Sequence, residues 1–213
     1  MTRFVLCTLL FLLSFTSVLY AADDGWINMF DGKTLKGWKA NEKADQWKVE
    51  DGAILVHGDR SHLFYIGDDE GKPADFKNFH FKADVLTKPN ANSGVFFHTK
   101  FQSEGWPDAG YEAQVNQTQK DPVKTGSIYN VVKNFVAPAK DDEWWTYEII
   151  VKGKDIETKV NGKTVVNYVE PEGVTGPRKL SSGTIALQAH DPKSIAMYKN
   201  LMIKPLPEEA KKP

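Results

Sequence analysis

Glu112, Gln114 and Asn116 recur at every second position of Tyr111-Glu112-Ala113-Gln114-Val115-Asn116. Gln188 and His190 do the same in Ile185-Ala186-Leu187-Gln188-Ala189-His190. In an extended chain alternate residues share a face, so each run pairs an apolar side with a side of carboxylate, amide or imidazole groups. The run Gly94-Val95-Phe96-Phe97-His98 sets Val95 and Phe97 on one face and Phe96 and His98 on the other. An antiparallel sheet ordinarily turns one polar face to water. Solvent faces, however, favour Lys, Glu and Thr, whereas planar amides and imidazoles are groups that orient a ligand. If the three runs are neighbours in one sheet, they form a platform for a ligand with many hydroxyls. Glu112 or His190 could then take or give a proton there.

Other chemistry finds little support. There is no Gly-rich phosphate loop and no G-x-S-x-G nucleophile elbow. His57 and His62 lie five apart with no third ligand in view, so no zinc site is assigned. Asp68-Asp69-Glu70-Gly71 could offer oxygen ligands to calcium but lacks the spacing of an EF-hand loop and reads as a solvated turn. No cofactor is expected.

The elements that must position these residues read as β-strands. Helix signals are scarce, and short β-prone runs alternate with turn residues in the pattern of a sandwich or barrel. Residues 47–50 and 53–57 flank Asp51-Gly52, and 156–160 and 163–168 flank Asn161-Gly162, both strong hairpin signals. Further strands are expected over 62–66, 79–86, 94–99, 110–116, 127–132, 145–151, 183–190 and 195–203. Residues 100–109, with Phe101 and Trp106, and residues 134–142 read as long loops, where binding groups tend to live.

The 213 residues carry 27 Lys and Arg against 28 Asp and Glu, without a basic stripe or acidic block, which argues against a nucleic-acid partner. Arg3, an apolar run over 4–15 and small residues at Ala21 and Ala22 form the layout of a secretory signal. Export to a periplasm or the cell exterior is therefore expected, with residues 1–22 removed. Nothing beyond the leader is long and apolar enough to span a bilayer. Cys7 is the single cysteine and lies in the leader, so the mature chain has neither disulfide nor thiol nucleophile. A single domain is expected over 23–205, with a disordered charged tail over 206–213.

Trp26-Ile27-Asn28-Met29-Phe30-Asp31-Gly32-Lys33-Thr34-Leu35-Lys36-Gly37-Trp38 resembles the opening signature of the 3-keto-disaccharide hydrolase domain family, also described as 3-keto-glucoside 1,2-lyase/3-keto-2-hydroxy-glucal hydratase. The similarity continues through Trp47-Lys48-Val49-Glu50-Asp51-Gly52, Asn92-Ser93-Gly94-Val95-Phe96-Phe97, Gly110-Tyr111-Glu112-Ala113-Gln114 and Thr125-Gly126-Ser127-Ile128-Tyr129. It runs on through Val160-Asn161-Gly162 and residues 183–190. The resemblance implies an all-β, concanavalin-A-like jelly-roll sandwich of two antiparallel sheets. It implies action on 3-keto-glycosides of small saccharides, by β-elimination or hydrolysis, with hydration of the resulting glucal. Glu112 or His190 would be the general base; Gln114, His98, Tyr129 and Gln188 would hold or polarise the keto-sugar. Lys133 would face the developing negative charge, and Trp106 would stack on a ring. His98 and Lys199 stand where the family usually has arginine, and Arg is not replaced by Lys where a forked donor is needed. Glucanases of this fold carry E-x-D-x-x-E on one strand. Glu112-Ala113-Gln114-Val115-Asn116-Gln117 has one carboxylate followed by amides, which disfavours that chemistry. A non-catalytic saccharide-binding module is the alternative from another class.

Overall fold

A computed structural model describes residues 24–67 and 74–208. The leader expected over 1–22, the acidic turn expected over 68–71 and residues 209–213 of the expected tail lie outside the described residues. The described residues form thirteen strands: β1 (Ile27–Asn28), β2 (Trp38–Ala40), β3 (Trp47–Glu50), β4 (Ala53–His57), β5 (Ser61–Tyr65), β6 (Phe79–Thr87), β7 (Ser93–Thr99), β8 (Tyr111–Val115), β9 (Trp145–Lys152), β10 (Asp155–Val160), β11 (Lys163–Val169), β12 (Thr184–Ala189) and β13 (Ile195–Pro205). The larger sheet runs β11-β10-β9-β6-β13-β4-β3, with β1 also on β13; the smaller runs β2-β5-β12-β7-β8. Every pairing is antiparallel. A short turn of 3-10 helix at Ala44–Gln46 leads into β3.

Both expected hairpins form for the anticipated reason. Asp51 and Gly52 have φ of 49° and 75°, and Asn161 and Gly162 have 49° and 74°, the left-handed pair that matches the strand twist. Between the sheets the inward sides of the strands fill one core, with Phe79, Phe81, Phe97, Tyr111, Ile149 and Leu187 completely or almost completely buried. Two tyrosines of the larger sheet cross this core to hold the smaller one. The Tyr147 hydroxyl donates to the Gln114 carbonyl at 3.1 Å. Ser93 Oγ gives its proton to the Gln188 carbonyl, so the Tyr198 hydroxyl must donate to Ser93 Oγ, both at 2.6 Å. Burial holds both phenols above their ordinary value, which keeps them as donors.

One expected strand is absent. Residues 127–132 fold back on themselves instead, with Val131 and Val132 both donating to the Ile128 carbonyl and Asn130 at φ 62°. Only single bridges, Ile128 to Val132 and Ile128 to Ala113, remain of the pairing.

Candidate functional site

The outer face of the smaller sheet carries the site, and register fixes which side chains meet there. Gln188 pairs with His62 across β12 and β5, and Leu187 pairs with Val95 across β12 and β7. Gly94 pairs with Gln114 across β7 and β8. One row therefore reads His62, Gln188, Gly94, Gln114. The next reads Phe64, Ala186, Phe96, Glu112. The second row is apolar except for its last member, and Phe64, Phe96 and Ala186 form a small buried cluster separate from the main core.

Gly94 decides where Glu112 goes. A Cβ there would lie 2.5 Å from Glu112 Oε1, so the carboxylate occupies the space that a side chain on β7 would fill. It reaches diagonally across the glycine to accept a hydrogen bond from Gln188 Nε2 at 2.9 Å. Burial pushes the Glu112 carboxyl up to about 7, while the Gln188 hydrogen bond and the Arg178 charge oppose that rise. At neutral pH it is thus poised between acid and base. Gln114 is fixed by its own bond, Nε2 to Asn92 Oδ1 at 3.0 Å.

These groups border a cavity of about 200 Å³ lined by Asn92, Phe96, Trp106, Glu112, Gln114, Asp121, Tyr129, Asn130, Arg178, Gln188 and His190. This is below the ~300–1,000 Å³ typical of pockets that enclose drug-sized ligands, so a small ligand fits it. His190 Nδ1 lies 3.0 Å from Asp191 Oδ2, which orients the ring and leaves Nε2 for chemistry. Asp191 is itself held by Lys193 N–H and Ser194 Oγ–H; these bonds and His190 keep its carboxyl below the ordinary value although burial opposes them. His190 also borders a wider groove of about 630 Å³ with Asn90, Gln119, Lys120 and Lys193.

The structure brings Glu112, Gln114, Tyr129, Gln188, His190 and Trp106 together at the cavity. It does not bring His98 or Lys133. His98 has φ 57°, and the pairing of β7 with β12 slips between Ala186 and Thr184, so the side chain leaves the face of Phe96. It lies instead against Phe79 and Phe97, with Nε2 at 2.9 Å from the Lys77 carbonyl and Nδ1 accepting Ser181 N–H at 3.1 Å. Lys133 is exposed in the folded-back segment and is not among the residues lining the cavity. Asn116 turns inward to the loop that follows it, donating to the carbonyls of Asp121 and Val123.

Sequence reasoning missed Arg178, Asp121 and Asn130 as cavity residues and gave Asn92 no role. Arg178 sits 5.7 Å from the Phe96 ring centroid, held by the carbonyls of Pro107 and Gly110. One signal was available. Arginine is scarce, with Arg3 in the expected leader and Arg60 and Arg178 the remaining two; in the structure these two lie over groove aromatics, Arg60 on Trp106 and Arg178 on Phe96. Asp121 and Asn130 come from loops and carry no periodic signal.

Comparison with known proteins places this geometry. A family model described as the 3-keto-alpha-glucoside-1,2-lyase-like domain matches residues 25–204. A 3-keto-disaccharide hydrolase of Bacteroides thetaiotaomicron is 35% identical over 79 residues, 35% of this chain and 27% of that protein, so the alignment spans about a quarter of the relative. A candidate glycosyl hydrolase from Parabacteroides distasonis has a similar structure at TM-score 0.72 and 23% identity, over 86% of this chain and 94% of that one. A carbohydrate-binding module from Bacillus subtilis superposes at TM-score 0.59 and 14% identity, over 81% of this chain and 98% of that one. At such identities the structural likeness shows the fold, a jelly-roll sandwich.

Proposed function

The chain belongs to the 3-keto-alpha-glucoside-1,2-lyase-like domain family, and from that premise we propose that it cleaves 3-keto-glycosides by elimination across C1 and C2. A ketone at C3 acidifies the C2 proton. Glu112 takes that proton, and the electron pair is held as an enolate on the C3 oxygen. As the C1–C2 double bond forms, the bond from C1 to the glycosidic oxygen breaks, and His190 protonates the departing oxygen. Water added back across C1–C2 would make the net reaction a hydrolysis. An exported setting, with the leader removed, suits a protein that meets saccharides outside the cell.

The observation that carries this reading is Glu112, a carboxyl buried on the cavity floor and raised to about 7. A base of that strength removes a proton and returns it near neutral pH. Arg178 and the free N–H of Gln114 supply donors for the enolate oxygen, the kind of preorganised stabilisation that favours developing charge. Arg178 thus takes the cationic role first assigned to Lys133. Because His190 borders both the small cavity and the wider groove, the keto ring occupies the first and the leaving group the second.

The test is direct. Incubation with a 3-keto-glucoside should give enone absorbance and free aglycone, and both Glu112→Gln and His190→Ala should slow their appearance by roughly 10²–10⁴. Full activity in both variants overturns the assignment, and binding without turnover makes the protein a saccharide-binding module. A second reading rests on Asp121, the other carboxylate of the cavity. Paired with a proton-bound Glu112, it supplies what acid–base hydrolysis of an unoxidised glycoside requires. Cleavage of the unoxidised disaccharide, lost in Asp121→Asn, would establish that reading; inertness toward that substrate removes it.

A further inference from the structure

His62 has no part in the chemistry just described, and packing alone does not account for its surroundings. It is 0% exposed, yet neither ring nitrogen has a hydrogen-bond partner among the described residues. Its neighbour in register, Gln188, has an equally orphaned Oε1. Buried polar atoms nearly always have partners, so two orphans side by side mark a missing one. Burial pushes the imidazole down to about 3; nearby Glu42 opposes this, and Arg60 and His190 add to it. The Gly105 carbonyl, which accepts from Asn41 Nδ2 at 3.1 Å, keeps a second lone pair and draws on the ring weakly, without a hydrogen bond of normal geometry to either nitrogen. His62 is therefore neutral, with one N–H donor and one N acceptor.

The His62 ring packs between buried Phe96, 5.2 Å away, and the half-exposed Trp106 indole, which lies 5.3 Å from the His62 ring and 5.5 Å from the His190 ring, centroid to centroid, and forms its outer cover. The indole is 41% exposed, whereas the backbone beneath it is tied down, Gly105 N–H donating to Glu42 Oε2 at 3.0 Å. A rotation of the side chain would uncover His62 without unfolding the loop. Trp106 and Gln188 line the cavity but His62 does not, so the indole stands between the cavity and His62 while Gln188 reaches both. A ring seated in the cavity does not reach His62.

We infer that His62 and Gln188 floor a further subsite, closed by Trp106 in the free protein, that takes the vicinal diol of an additional sugar ring joined to the keto ring. This rests on the saccharide reading above and extends it to longer substrates. The donor and acceptor of His62 and the acceptor of Gln188 match the hydroxyl pair of a pyranose. The displaced indole then offers its face to the apolar side of the same ring.

The experiment compares His62→Phe and His62→Gln in the whole chain. Their substrates are a 3-keto-glucoside with a simple aglycone and a 3-keto derivative of a gluco-trisaccharide. Binding is measured by calorimetry in the Glu112→Gln background, turnover in the unaltered one. His62→Phe keeps the ring packing and removes two orphan atoms, so its Tm should equal or exceed that of the parent. Its KM and Kd for the trisaccharide should rise about tenfold or more, with those for the one-ring substrate unchanged. His62→Gln should recover part of the binding. Unchanged trisaccharide affinity in His62→Phe overturns the inference, as does a marked fall in Tm, which would assign the nitrogens to a structural water. If the parent binds the trisaccharide through His62 but cleaves neither substrate, the elimination reading fails while the subsite stands. If it neither binds nor cleaves, both fall.

Discussion

Replacing Glu112 by glutamine separates what this carboxyl does for chemistry from what it costs the fold. The group is held at about 7 against an ordinary 4.5, chiefly by burial. At 1.36 kcal/mol for each pH unit, ionising it in the folded protein costs about 3 kcal/mol more than ionising it in the unfolded chain. Between pH 4.5 and 7 the folded chain keeps a proton that the unfolded chain has released. Stability must therefore fall as pH rises through that window, and the whole cost stands above it. Glutamine never ionises, and its amide oxygen can still accept from Gln188 Nε2. Glu112→Gln should thus match the parent near about pH 4 and exceed it by about 3 kcal/mol near about pH 8.5. For a chain of this size that is a rise in Tm of roughly 6–12 °C. Thermal unfolding followed by circular dichroism at the two pH values measures it. Activity should drop by roughly 10²–10⁴ at the same time, as for loss of a general base. An equal Tm difference at both pH values would refute the reasoning, because it would mean that the carboxyl ionises without penalty.

Gly94→Ala sets a Cβ 2.5 Å from Glu112 Oε1 and 3.2 Å from its Cδ. The carboxylate must give way; roughly 1–3 kcal/mol of stability and about 10²-fold in kcat/KM should be lost, measured by unfolding and turnover, and unchanged kinetics would refute the placement. His98→Ala removes a buried ring that ties Lys77 to Ser181. It should lower stability by roughly 2–3 kcal/mol with KM unaltered. Because burial lowers the pKa of His98, the unfolded chain takes up its proton first, and this contribution is lost as pH falls below about 6.5. A raised KM in His98→Ala would return that residue to the site.

The platform was legible in the sequence wherever the two-residue period ran without interruption. Glu112 and Gln114 on β8, and Gln188 and His190 at the end of β12, face where alternation puts them. His98 does not, since the period holds only while the backbone stays extended. A left-handed histidine at a slip in pairing breaks it, and no glycine marks the spot. Residues 127–132 failed for a related reason. Their composition suits a strand, but no partner lies alongside over their whole length. Asp121 reaches the cavity from a loop tied by its own side chains, and Arg178 from one whose course is set by carbonyls far away in sequence, those of Pro107 and Gly110. Such long-range closure leaves no local pattern. His62 was visible as a residue but not as part of the site, because only the pairing of β5 with β12 sets it beside Gln188.

The folded-back segment after Lys124 has a second consequence. β8 is the last strand of its sheet, and a bare last strand offers its unpaired amides to any passing chain. Here Gln114 N–H donates to the Ser127 carbonyl, Gly126 N–H to the Gln114 carbonyl and Tyr129 N–H to the Glu112 carbonyl. The stretch that stops the sheet from recruiting a neighbour is therefore also the one that delivers Tyr129 to the rim. Guarding against self-association and shaping the cavity thus fall to the same few peptide bonds.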